Sequence, residues 1–71
     1  MNELEVIKDR IATNIKDCTI SVTCGDVCGS RLCILCVHGK ERVVVMRVDE
    51  ETIDKLISFL EEAKKLIKEG D

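Results

Sequence analysis

Three kinds of hydrophobic spacing succeed one another along the chain. Leu4, Ile7, Ile11 and Ile15 recur at three and four residues, while Glu3, Lys8, Asp9, Asn14 and Lys16 fall away from them, which predicts an amphipathic helix over residues 3–16 capped by Asn2 with Glu5 three positions on. From Cys18 the period drops to two. Cys18, Ile20, Val22 and Cys24 alternate with Thr19, Ser21 and Thr23, the mark of a strand with one buried face. Gly25-Asp26 and Gly29-Ser30 then read as a loop with two turn signals. Residues 31–38 resume as a second strand, Gly39-Lys40 marks a tight turn, and residues 42–48 form a third strand.

Strands two and three are apolar on both sides. Leu32, Ile34 and Cys36 point one way, with Val44, Met46 and Val48 expected beside them, and Cys33, Leu35, Val37, Val43 and Val45 point the other way. A sheet of that kind needs two covering layers. The last segment supplies one expected cover. Asp49 caps a helix over about 50–69, Glu50 and Glu51 suit its positive end, Lys64, Lys65 and Lys68 its negative end, and Gly70 its stop. Its stripe of Ile53, Leu56, Ile57, Leu60, Ala63 and Ile67, widened by Phe59 and Leu66, suits packing on the chain's own sheet or a short seam with a second chain. The expected architecture is a single small α+β domain over residues 1–71, in the order α-β-β-β-α. The other sheet face is left to the N-terminal helix or to a second copy, which favours a homodimer.

Composition sharpens the picture. The chain has 71 residues, Phe59 is its only aromatic, and charged residues make up 35% for a net charge of only -3. A domain this small buries about 60% of its unfolded surface, so a large enzyme cleft is not expected. Gln is absent, Asn occurs twice and Glu, Lys and Arg dominate the surface, a balance found in proteins of hyperthermophiles, here an archaeon or one of its viruses. The acidic start Met1-Asn2-Glu3-Leu4-Glu5 and the short apolar runs point to a cytoplasmic protein without a membrane segment.

Cys18, Cys24, Cys28, Cys33 and Cys36 crowd one short window, with His38 two residues beyond. Three readings stay open. Disulfides suit a hyperthermophile's cytoplasm and would offset a small core, with Cys28 joined to Cys24 or to a neighbouring strand. Free thiols would pack as small hydrophobes. A zinc or redox module would use Cys24, Cys28, Cys33, Cys36 and His38, although only Cys33-x-x-Cys36 has a familiar ligand spacing. Cys36 and His38 share a strand face, but no third orienting group marks a nucleophilic triad, so an enzyme with a small-molecule substrate is not expected.

Net charge hides a partition. Arg31, Lys40, Arg42 and Arg47 give the strand region a positive balance, whereas residues 49–71 are acidic. Those four cations could meet a phosphate backbone, or could simply keep strand edges soluble. The layout of residues 31–40, then 42–48, then 49–56 resembles that of small archaeal single-stranded DNA-binding proteins of the ThermoDBP-related kind and of the positive-cofactor-four coactivators. That resemblance implies a dimer formed through the helix and binding of single strands on a basic sheet, with Arg31, Lys40, Arg42 and Arg47 as contacts. With no aromatic on the strands, such contacts would go to the backbone rather than to stacked bases. A protein-interaction or assembly module is the alternative from another class.

Overall fold

The computed structural model describes residues 5–7 and 9–70, with side chains from Asp9 onward. Five strands precede one helix: β1 (Glu5–Ile7), β2 (Arg10–Ile15), β3 (Cys18–Val27), β4 (Ser30–His38), β5 (Val43–Val48) and α1 (Glu50–Glu69). The strands form one antiparallel meander in sequence order. The mixed α+β class stands, but the order α-β-β-β-α does not, because residues 5–15 form two strands instead of an N-terminal helix. Asn2, Glu3, Leu4 and Lys8, which entered that expectation, lie outside the described residues.

The physical reason lies in the ambiguity of Ile11 and Ile15. Their spacing suits a helix, but with Thr13 they also alternate with Arg10, Ala12 and Asn14, and β-branched side chains fit a pleated surface. A helix of about three turns is marginal by itself, whereas β2 gains a full ladder against β3, from Arg10 opposite Thr23 to Ile15 opposite Cys18. Lys16 takes φ 55° in the intervening two-residue turn.

The expected loop over residues 25–30 is also absent. β3 runs through Gly25 and Asp26, and only Cys28 and Gly29 turn, with φ 50° and 80°. Two successive positive φ values are what a tight hairpin turn requires, since its twist then matches that of the strands. At the next hairpin the Gly39 N–H donates to the Arg42 carbonyl at 2.9 Å, leaving Lys40 and Glu41 as the loop.

That two-residue loop corrects the face assignment of β5. Cys33 pairs with Val48, Leu35 with Met46 and Val37 with Val44, while Ile34 faces Arg47 and Cys36 faces Val45. Val44, Met46 and Val48 therefore lie with Cys33, Leu35 and Val37, the reverse of the expected grouping. One sheet face carries Ile11, Ile15, Ile20, Val22, Leu35, Val37, Val44 and Met46; the other carries Ala12, Thr19, Ser21, Thr23, Ile34, Cys36 and Val45.

Neither face has the expected cover. Among the strands, α1 comes within 8 Å, Cα to Cα, of β5 alone. Its stripe of Ile53, Ile57, Leu60 and Ile67 is exposed. Ala12 and Val48, at 5% and 7% exposure, are the buried apolar residues among those described. The radius of gyration is 14.3 Å, against about 11 Å for a compact chain of this length.

α1 starts where its sequence predicts. The Asp49 carboxylate accepts the Thr52 backbone N–H at 2.8 Å, and Glu50 and Glu51 occupy the first turn. The hydrogen bonds from Thr52 hold the Asp49 carboxyl below its usual 3.8. A depressed carboxylate stabilises the fold above its unfolded pKa, and that contribution is lost as pH falls through the folded value. Asp49→Ala should lower the melting temperature at pH 7, and thermal scans by circular dichroism should show the gap to wild type closing below about pH 3.8.

Candidate nucleic-acid interface

The four cations expected to act together are divided by the hairpin topology. Successive antiparallel strands place the β2–β3 and β4–β5 turns at one end of the sheet and the β3–β4 turn at the other. Lys16, Lys40 and Arg42 lie in or beside turns at the first end, and Arg31 lies at the second. Arg47 sits far along β5, opposite Ile34.

Arg31 already has partners. Its Nη2 donates to Asp9 Oδ1 at 2.9 Å, and its Nη1 lies 3.5 Å from Asp26 Oδ1. The hydrogen bond that Arg31 donates to Asp9, ahead of the charges of Asp9 and Asp26, raises the guanidinium pKa above its usual value. The backbone repeats the link, because the Cys24 N–H donates to the Asp9 carbonyl at 2.8 Å. Arg31 thus ties the β1–β2 turn to the β3–β4 hairpin. It acts as a structural clamp, and the sequence offered no direct sign of this because Asp9 lies 22 residues away.

Lys40, Arg42 and Arg47 are exposed and form no ion pair among the described residues. Arg47 lies on the Ala12 face, whereas Arg42, paired with Gly39 just before Val43, has the parity of Val44 and Met46 on the other face. Register aligns Arg10, Thr23, Ile34 and Arg47 in one row across the Ala12 face, and Asn14, Thr19, His38 and Val43 in another. On β2–β5 this face bears no carboxylate, although Glu5 of β1 stands opposite Ala12. Thr19 donates its hydroxyl to Asn14 Oδ1 at 2.8 Å.

The cysteines separate. Cys24 and Cys33 form a cross-strand disulfide, with Sγ atoms 2.00 Å apart, on the aliphatic face. Cys18, Cys28 and Cys36 carry free thiols, Cys28 at the exposed hairpin tip and Cys36 on the Ala12 face with His38. Neither expected bridge of Cys28, to Cys24 or to a neighbouring strand, forms, because register sets Cys24 opposite Cys33 instead. Among the described residues no three His, Cys, Asp or Glu side chains are placed to hold a metal ion. The bridge had a legible signal: a two-residue turn at Cys28-Gly29 puts Cys24 opposite Cys33.

An open depression on α1 is lined by Glu61, Glu62, Lys64, Lys65 and Lys68, with Lys65 donating to Glu62 at 3.0 Å. No described helix is long and apolar enough to cross a membrane. Comparison with family models, with curated proteins and with solved structures finds no match. Function must be argued from the site alone.

The disulfide closes a loop with a sequence separation of 9, for which chain entropy gives about 2–3 kcal/mol. The double substitution Cys24→Ser with Cys33→Ser should lower the melting temperature by about 10–20 °C in calorimetry. A reductant should shift wild type toward the same value.

Proposed function

We propose that this chain is a non-catalytic, homodimeric binder of single-stranded nucleic acid, DNA or RNA, acting on the phosphate backbone. The segregation of charge on the sheet carries the reading. On β2–β5 the Ala12 face has arginine, histidine and hydroxyl side chains without a carboxylate, and the Lys40 and Arg42 turn stands at its end. Acidic groups sit at the Arg31 clamp and along α1, and Asp17 and Glu41 share the turns of Lys16, Lys40 and Arg42.

The working contacts in this reading are Lys40, Arg42 and Arg47, supported by hydroxyls of Ser21 and Thr23. Arg31 is left out because Asp9 and Asp26 already neutralise it. Affinity is electrostatic and indifferent to sequence, as expected of a face without aromatic platforms.

Surface area supports the dimer. The chain exposes 6363 Å², whereas a compact monomer of 8.0 kDa exposes about 4,450 Å². The excess of roughly 1,900 Å² per chain matches what an obligate homodimer buries. A cytoplasmic setting in a hyperthermophilic archaeon or its virus completes the proposal, since such cytoplasms tolerate a structural disulfide.

Titration of a fluorescein-labelled single-stranded oligonucleotide tests it. Affinity should fall steeply with salt, by about 0.7 log unit per log unit of salt for each phosphate contact. Arg42→Ala with Arg47→Ala should flatten that slope. Arg31→Ala should lower thermal stability and leave the slope unchanged. No binding at low salt would overturn the reading and leave a protein-assembly module built on the same apolar surfaces.

A further inference from the structure

We infer that the second copy docks along the free edge of β5, so that two five-stranded sheets join into one. The inference rests on the homodimer reading above and is independent of nucleic-acid binding. It begins from which backbone groups β5 leaves open.

Antiparallel ladders alternate between pairs that exchange hydrogen bonds and pairs that do not. The Gly39 N–H to Arg42 carbonyl bond makes that pair a bonded one. Counting on in register, Val37–Val44, Leu35–Met46 and Cys33–Val48 are bonded, and Val43, Val45 and Arg47 turn their N–H and C=O groups away from β4. The disulfide gives the same parity independently. Cys24 and Cys33 have Cα atoms 4.0 Å apart, the close spacing of a non-bonded pair, so the Cys33 main chain must turn toward β5.

The edge so defined is unusually bare. β5 is the terminal strand, α1 continues from its end without covering it, and Val43, Val44 and Val45 are 55%, 59% and 58% exposed. No proline and no bulge protects it, and within the strand Arg47 is the sole charge. The opposite edge, β1, is only 3 residues long. An apolar edge of this kind pairs with another strand or aggregates. Given the area excess, a second copy related by a two-fold axis is the occupant that closes the assembly without leaving a new edge of the same kind.

The parity also selects a register. Centring the axis on Val45 sets Val45 against its own copy and Val43 against the second copy's Arg47, twice, so all three outward-turned residues take part in bonded pairs. Moving the centre to Val44 or Met46 loses one of those pairs. In the same register Val44 meets the second copy's Met46 on the aliphatic face. Continued past the strand, the register sets Arg42 against the second copy's Val48 and Lys40 against its Glu50, so each β4–β5 turn meets the acidic start of the other α1.

Proline substitution tests the edge directly. Val45→Pro removes an outward N–H and spares the β4 ladder, so it should give a folded monomer, with unchanged far-ultraviolet circular dichroism and an intact Cys24–Cys33 bridge. Val44→Pro removes an inward N–H and should lose the fold. Light scattering should report twice 8.0 kDa for wild type and 8.0 kDa for Val45→Pro. In wild type the amides of Val43, Val45 and Arg47 should resist hydrogen exchange above the dissociation concentration and exchange freely below it. A wild-type monomer would overturn both the dimer and its edge. A dimer in which Val45→Pro still dimerises, or in which those three amides exchange freely, would overturn the edge alone and leave α1 as the interface.

Discussion

Three two-residue turns, at Lys16-Asp17, Cys28-Gly29 and Lys40-Glu41, set Ile15 against Cys18, Val27 against Ser30 and His38 against Val43. Because side chains alternate with a period of two, each turn determines the face of every residue that follows. That register joins Cys24 to Cys33, sets Ile11, Ile15, Ile20, Val22, Leu35, Val37, Val44 and Met46 on one face, and turns the backbone of Val43, Val45 and Arg47 outward. A shift of one residue at a turn would undo whichever of these spans it: the bridge at Cys28-Gly29, the outward backbone of β5 at Lys40-Glu41. Cys28 and Gly29 accept positive φ there because the strand twist demands it.

The meander has a cost that the chain does not offset alone. A sheet needs something laid against its faces, and α1 leaves from the last strand and stays beside it. Local bonds do much of the remaining holding: the disulfide ties β3 to β4, Arg31 ties the β1–β2 turn to that hairpin, and Asp49 caps α1. None of them removes apolar surface from water on the scale of a core.

Much of this was legible before any coordinates. The strand from Cys18, the two that follow it and the C-terminal helix with its Asp49 cap come from local periodicity and capping chemistry, which neighbouring residues decide. The N-terminal helix was misread because Ile11 and Ile15 satisfy both periods, and only the ladder to β3 chooses between them. Arg31 was grouped with Lys40, Arg42 and Arg47 because all lie near one another in sequence, yet antiparallel turns send it to the opposite end, to Asp9 and Asp26.

The sequence by itself determined the α+β composition, the strand-rich middle, the limits of α1 and an apolar content beyond what one small layer can hide. These depend on side-chain pattern within a few residues. Tertiary structure decided the fate of residues 5–15, the partner of each cysteine, the sharing of cations between clamp and open face, and the bareness of β5. Each of these depends on which distant strand lies alongside, and pairing energy accrues only once the chain has closed its turns in the right register.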